Sequence, residues 1–198
     1  MLRIAAIALL GAALLALAGC ASGPRPRSVM WRVLPDRQAE SPAPQIESNE
    51  LVLDGRAVRT QRTFSVPLTV ELEVAPEPNS TNAAFFLQFD PVDAIQRNTP
   101  ADFLAVKLRQ VEAKKTSILV WISQGAQPRH LLPMDTVVAH QQGSPYRLGI
   151  ESKADGLALH IDQETFKIDA AFPYDQFYVQ LRTFPPPSRW RVRSFTVR

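Results

Sequence analysis

Two acidic residues, Glu71 and Glu73, have a spacing that suits acid–base chemistry. Because neighbouring apolar residues alternate, both side chains are predicted to share one face of a strand, roughly 7 Å apart. Hydrolysis of a glycosidic bond needs two carboxyl groups about 5 to 9 Å apart, one of them with a raised pKa. Such pairs are also common on the solvated outer face of a sheet, which is the favoured interpretation.

Other polar residues are less suited to catalysis or metal binding. Asp90 and Asp93 flank a predicted turn, where capping is a better interpretation than calcium, which takes about six to eight oxygen ligands. No pair among His130, His140 and His160 has metal-ligand spacing. The sequence contains no Gly-x-Ser-x-Gly elbow, P-loop or dinucleotide fingerprint. We therefore expect no metal and no cofactor, and we expect catalysis less than binding.

A third group of residues suits ligand binding. Trp121 points away from the apolar side of its predicted strand. Polar side chains occupy the corresponding side of three other predicted strands, namely Gln88, Lys107, Arg109, Tyr178, Gln180 and Arg182. If these strands adjoin, they form a polar face around one tryptophan, which is a candidate ligand site. The alternative is that Trp121 is buried under a loop or tether, as large aromatic residues usually are.

The elements that position these residues are predicted to be strands. Apolar and polar residues alternate in seven segments, at 68–74, 85–89, 118–122, 146–150, 157–161, 177–181 and 190–197. Asp155-Gly156 between two of them predicts a hairpin. Residues 100–115 combine a helix-start signal with alternation, and strand is preferred because the neighbours are strands. Roughly ten strands predict an all-β antiparallel sandwich or barrel.

The N-terminus carries a targeting signal. Arg3, an apolar run over residues 4–18 and small residues before Cys20 are typical of a secretory signal peptide, and the run is shorter than the about 20 residues of a spanning helix. Leu17-Ala18-Gly19-Cys20 resembles the lipobox of bacterial lipoproteins. The resemblance implies cleavage after residue 19 and acylation of Cys20, which gives stable anchoring. By resemblance to sorted lipoproteins, Ala21 after the cysteine favours the outer membrane, on its periplasmic or cell-surface side. Lipidation also uses the only cysteine.

Residues 20–50 are predicted to form a tether, since they are rich in proline and poor in large apolar residues. One apolar patch, residues 29–34, could instead be an edge strand that docks on the domain. The formal net charge of the chain is +3, and no Lys/Arg block of the kind that binds nucleic acid is present. Arg189, Arg191 and Arg193 alternate along one predicted strand, which we interpret as an ordinary solvated face.

Residues 51–198 resemble the concanavalin A-like lectin/glucanase superfamily in the order of their strands and turns. The similarity lies in residues 64–89, 102–108 and 118–125, Tyr146-Arg147-Leu148-Gly149-Ile150, the hairpin that ends at Ile161-Asp162, and residues 190–197. It implies a jelly-roll sandwich and sugar recognition. The Glu-x-Asp-x-x-Glu motif of the glucanase branch is missing, and Glu71-x-Glu73 with Glu77 is its nearest approximation.

Three functions are consistent with these features. The preferred hypothesis is a membrane-tethered lipoprotein whose jelly-roll domain, residues 51–198, binds a glycan without catalysis. The second is a glycoside hydrolase-like enzyme in which Glu71 or Glu73 acts. The third is a structural or assembly lipoprotein whose sheet face contacts an envelope protein.

Overall fold

Sixteen strands and one short helix, α1 (Val92–Gln96), form the part of the chain that the computed structural model describes. This part comprises residues 30–34, 44–55, 57–77, 84–96, 102–153, 156–184 and 189–198. The strands form two antiparallel sheets, which confirms the predicted all-β sandwich. The signal peptide, Cys20 and much of the predicted tether lie outside the described residues.

One sheet has nine strands. Seven of them lie side by side in the order β1 (Trp31–Val33), β4 (Ala57–Thr60), β15 (Gln176–Phe184), β7 (Ala84–Pro91), β8 (Phe103–Glu112), β9 (Lys115–Gln124) and β10 (Gln127–His130). The other two are β5 (Phe64–Ser65), which pairs with β15, and β11 (Val137–Ala139), which pairs with β9.

The other sheet has seven strands. Their order is β14 (Glu164–Ile168), β13 (Gly156–Ile161), β12 (Tyr146–Lys153), β6 (Thr69–Pro76), β16 (Arg189–Val197), β3 (Glu50–Asp54) and β2 (Gln45–Glu47). Strands β12 to β14 and strands β2 and β3 are neighbours both in sequence and in the sheet, whereas β16 lies between β6 and β3, which are far from it in sequence. The C-terminal strand therefore joins segments from the first half of the chain.

Aromatic side chains from both sheets meet in the core. The ring centroid of Phe85 in β7 lies 5.4 Å from that of Trp190 in β16, which lies 5.7 Å from that of Tyr146 in β12. All three side chains are fully buried, and leucine, valine and isoleucine from every long strand surround them. Burial of this apolar surface is the main force that holds the two sheets together.

A buried polar network joins the two sheets beside these rings. The hydroxyl of Tyr146 donates to Oε1 of Gln110 in β8 at 2.7 Å and also lies 2.7 Å from Oγ1 of Thr116 in β9. Burial raises the pKa of Tyr146 to about 12, although the hydrogen bond with Thr116 acts in the opposite direction. The imidazole of His140 stacks on the tyrosine ring and makes a 2.7 Å contact from Nδ1 to Oδ2 of Asp162.

The strands and turns follow from local sequence. The ambiguous segment at 100–115 contains β8, so the strand prediction is confirmed. The predicted hairpin is present as well, since β12 and β13 pair with Lys153 opposite Gly156, while Asp155 lies outside the described residues. Gly125 and Ala126, both with positive φ, form the two-residue turn between β9 and β10.

The sandwich also includes residues that precede position 51. Within the apolar patch at 29–34, Trp31–Val33 forms β1, which pairs with β4, as the alternative for this patch predicts. Gln45–Glu47 forms β2, which pairs with β3 through a turn at Ser48 and Asn49. Segments of the predicted tether are therefore integral to the two sheets. Among the described residues, no helix has the length and apolar character needed to cross a membrane.

Substitution of Trp31 tests whether β1 is part of the folded domain. Trp31 is 1% exposed and packs edge-on against Phe195 of the opposite sheet at 4.8 Å. We expect Trp31→Ala to lower the free energy of unfolding by about 3–5 kcal/mol, because it leaves a cavity in the core. Arg32→Ala, at the exposed position next to it, is the matched control and should have a small effect. Equal small effects in urea unfolding would show that β1 does not contribute to the core.

Candidate functional site

The strands that carry the predicted ligand-binding residues adjoin one another in the nine-stranded sheet. Strand pairing places Gln180 opposite Gln88, and Ala105 lies between Gln88 and Trp121 in the same row. We call the outward surface of these strands the front face, which is formed by Arg32, Arg59, Phe86, Gln88, Asp90, Phe103, Ala105, Lys107, Arg109, Trp121, Tyr178, Gln180 and Arg182. Side chains directly opposite on paired strands lie about 5 Å apart, so these residues form one continuous surface.

Aromatic rings cluster on the front face. Trp121 makes edge-to-face contacts with Phe86 at 6.1 Å and with Phe103 at 6.0 Å between ring centroids. Strand β8 lies between the strands of Phe86 and Trp121, and the small side chain of Ala105 on β8 leaves room for the indole to reach Phe86. These neighbours bury part of the Trp121 side chain, so its exposure lies between the two sequence-based alternatives. Trp121 and Phe103 both remain partly accessible to solvent.

Cationic side chains surround Phe86. The guanidinium carbon of Arg182 lies 4.7 Å from the centroid of the ring, and Nζ of Lys107 lies 5.4 Å from it. These residues come from the strands on either side of Phe86, since strand pairing places both opposite it. Cation–π attraction holds both cations over the ring and leaves their remaining donors available to a ligand.

A buried acid lies at the other end of the front face. Asp90 is 7% exposed and accepts a 2.6 Å hydrogen bond from Nε2 of Gln88. Burial raises the pKa of Asp90, while the hydrogen bond from Gln88 and the charges of Arg59 and Arg182 act to lower it. Arg59 itself lies over the ring of Tyr178, with its guanidinium carbon 5.0 Å from the centroid.

All seven predicted ligand-binding residues thus lie on one face, as their alternation required, although their role in binding stays a prediction. Arg109 lies one row beyond Lys107 on β8, where it is opposite Ala84 and Ser117. Sequence reasoning did not include Phe86 or Arg59. Phe86 alternates with the core residues of β7 in the same way as Gln88, so this signal was available. Arg59 lies in a strand of four residues, which is too short for a clear alternation.

The predicted acid–base pair lies on the opposite side of the molecule. Glu71 and Glu73 project from β6 in the seven-stranded sheet, where Glu71 pairs with Arg198 and Glu73 lies 3.4 Å from Arg193. Each carboxylate is therefore neutralised by an arginine and faces solvent. Neither residue shares a site with the aromatic cluster, and the solvated-face interpretation fits this geometry.

The alternating arginines of β16 lie on the same outer surface, which we call the back face. Arg191 pairs with Glu47 and Glu77, both at 2.8 Å, and Arg193 pairs with Glu50 at 3.3 Å. Arg189 contacts Glu47 at 3.2 Å. The positive charge that the sequence suggests at this strand is therefore balanced by glutamates from neighbouring strands.

The remaining candidates do not form a metal centre in the described part of the chain. No group of three or more His, Cys, Asp or Glu side chains is arranged to hold a metal ion there. His140 takes part in the buried network with Asp162, and His160 contacts Thr165 at 3.0 Å and Glu151 at 3.6 Å. His130 lies opposite Trp121 at the edge of the front face.

Several solved structures match most of this chain in fold. A carbohydrate-binding module, CBM66, from Bacillus subtilis matches 85% of this chain and 94% of its own, with a TM-score of 0.56 and 12% identity. A LamA variant from Zobellia galactanivorans, in complex with laminaritriose and laminaritetraose, matches 87% and 93%, with a TM-score of 0.62 and 10% identity. A β-glucanase from Bacillus licheniformis matches 86% and 92%, with a TM-score of 0.52 and 8% identity.

The chain has the jelly-roll fold of these domains. At such low identity the likeness shows the fold alone, so the function must be argued from the residues of the site. No protein-family model matches the sequence, and no relative was found among curated proteins.

The raised pKa of Asp90 predicts a pH dependence of stability. A carboxyl with a raised pKa binds its proton more tightly in the folded state, so its contribution to stability is present below the ordinary value of 3.8 and is lost as the pH rises through the folded pKa. Asp90→Asn lacks this ionisation, so we expect the stability of the wild type relative to this variant to fall progressively as the pH is raised from about 4 towards neutrality.

Urea unfolding of both proteins over this pH range measures the difference. Asp169→Asn, at an exposed position, is the control for simple removal of a charge. A wild type that instead gains stability over the variant with rising pH would show that Arg59 and Arg182 outweigh the burial of the carboxylate.

Proposed function

We propose that this protein is a lipid-anchored component of the bacterial cell envelope whose jelly-roll domain binds a glycan on the front face. The observation that carries the proposal is the aromatic cluster of Phe86, Phe103 and Trp121 beside the amides of Gln88 and Gln180. Sugar rings present apolar C–H surfaces to aromatic rings, and their hydroxyl groups pair with planar polar side chains. A partly exposed aromatic patch with a few convergent polar groups is typical of a ligand site.

The comparisons support this proposal at the level of fold. Carbohydrate-binding modules and β-glucanases have the same architecture, and one of these structures holds bound oligosaccharides. Binding without hydrolysis is the version we propose, because the front face contributes a single buried carboxylate, Asp90, within its described strands. Glu71 and Glu73 lie on the back face and take no part in this site.

The anchor is proposed from the sequence. The lipobox-like Leu17-Ala18-Gly19-Cys20 supports acylation of Cys20, and Ala21 supports delivery to the outer membrane. The bound glycan would then belong to the periplasm or to the cell surface.

A glycan array tests the binding site. We expect the full chain to bind one or more glycans and Trp121→Ala to weaken that binding about tenfold, because an aromatic contact contributes about 0.5–1.5 kcal/mol beyond the surface area that it buries. Glu71→Gln, on the back face, is the matched control and should bind as the wild type does. An array with no bound glycan would remove the proposal, and a stoichiometric envelope protein crosslinked to the chain would then support the assembly hypothesis.

Acylation of Cys20 has its own test. We expect the wild type, expressed in a bacterium with a lipoprotein pathway, to incorporate labelled palmitate and to sediment with the outer membrane. Cys20→Ser should lose both properties, since it has no thiol to acylate, whereas Ala21→Ser should keep the label. Label retained by Cys20→Ser, or absent from the wild type, would contradict the proposed anchor.

A further inference from the structure

The front face carries an excess of positive charge. Its basic residues are Arg32, Arg59, Lys107, Arg109 and Arg182. Asp90 is the one carboxylate in the same rows of the described strands. Glu112, at the end of β8, is engaged by Lys115 at 3.0 Å and so does not offset these cations. Four or more like charges on one sheet surface repel one another and attract anions.

The back face shows that pairing of surface cations is common elsewhere in this protein. Arg191, Arg193 and Arg198 each contact at least one glutamate there. On the front face, by contrast, no ion pair joins Arg59, Lys107 or Arg182 to an acid within the described part of the chain. The two outer surfaces therefore differ in charge compensation rather than in the number of arginines.

Arg59 and Lys107 are partly withdrawn from water. Arg59 is 8% exposed, and its buried Nε has no hydrogen-bond partner. Burial lowers the pKa of Arg59 and the nearby Arg32 lowers it further, while the charge of Asp90 acts to raise it. Burial also lowers the pKa of Lys107, followed by the charges of Arg109 and Arg182. The charge of Asp90 partly offsets that of Arg59, but neither Arg59 nor Lys107 forms an ion pair within the described strands, so an anion that reached this surface would add a favourable partner for both.

We propose that the glycan bound by the front face is acidic and carries carboxylate or sulfate groups. The inference rests on the proposed function and specifies its ligand class. Trp121 and Phe103 offer a ring surface for the sugar, and Lys107 and Arg182 lie on either side of Phe86 in the same row. An arginine fork binds a carboxylate or sulfate through two parallel hydrogen bonds, and lysine adds a point charge.

Binding of the full chain to three immobilised polysaccharides tests the inference. The probes are polygalacturonate, which carries carboxylates, dextran sulfate, and the neutral glucan laminarin. We expect at least one polyanion to bind roughly tenfold more tightly than laminarin, and high salt to weaken that binding. Lys107→Gln and Arg182→Gln should each weaken it roughly fivefold or more, since each removes a charge-assisted contact. Arg193→Gln, an equal loss of charge on the back face, should leave it unchanged.

Each other outcome has a distinct meaning. Laminarin bound as tightly as the polyanions, with no effect of the two glutamine variants, would overturn the acidic ligand and leave glycan binding intact. If none of the three polysaccharides bound, the result would count against the acidic ligand and against glycan binding itself. An equal loss in Arg193→Gln would show attraction by net charge alone, and equal binding to phosphatidylglycerol vesicles would identify a lipid headgroup as the ligand. Urea unfolding of each variant shows whether it is folded.

Discussion

Phe85, Tyr146 and Trp190 meet between the two sheets, and burial of these rings decides which side of each strand faces the core. Successive side chains of a strand point to opposite sides, so a fixed inner row also fixes the outer row. In β7, burial of Phe85, Leu87 and Phe89 turns Phe86, Gln88 and Asp90 outward. The front face is thus a direct consequence of core packing, and a shift of one residue in register would bury its cations and expose the core.

The two outer surfaces of the sandwich differ in how their charges are balanced. On the back face, the order β6–β16–β3–β2 brings Glu73 of β6, Glu50 of β3 and Glu47 of β2 to the arginines of β16. On the front face, cations lie over aromatic rings, as Arg59 does over Tyr178 and Arg182 does over Phe86, and among the described strands only Asp90 offers them an opposite charge. Cations arranged in this way lack the stabilisation that ion pairs and full hydration would supply. Surface positions at which a protein gives up stability in this manner are often functional sites.

Alternation in the sequence was sufficient to predict the sandwich, but the strand at β8 also needed the evidence of its neighbours, and the shared face of Trp121, Gln88 and Gln180 was predicted only on condition that their strands adjoin. Contacts between strands distant in the sequence were not predictable in this way. The pairing of Arg191 with Glu47 and Glu77 depends on the position of β16 between β6 and β3, which no local pattern specifies. Proline-rich composition concealed β2, and a length of four residues concealed Arg59 in β4. The partial burial of Trp121 depends on Ala105, whose role appears only once β8 lies between its neighbours.

The docking of β1 has a consequence for reach. Trp31 is fixed in the sheet beside β4, so eleven peptide units separate Cys20 from the folded domain. Even a fully extended chain of this length spans at most about 40 Å, because each residue adds no more than about 3.6 Å. In a protein anchored at Cys20, β1 would therefore lie within about 40 Å of the lipid surface. The polymers within its reach would be those that lie no further from the membrane than this span plus the length of the domain itself.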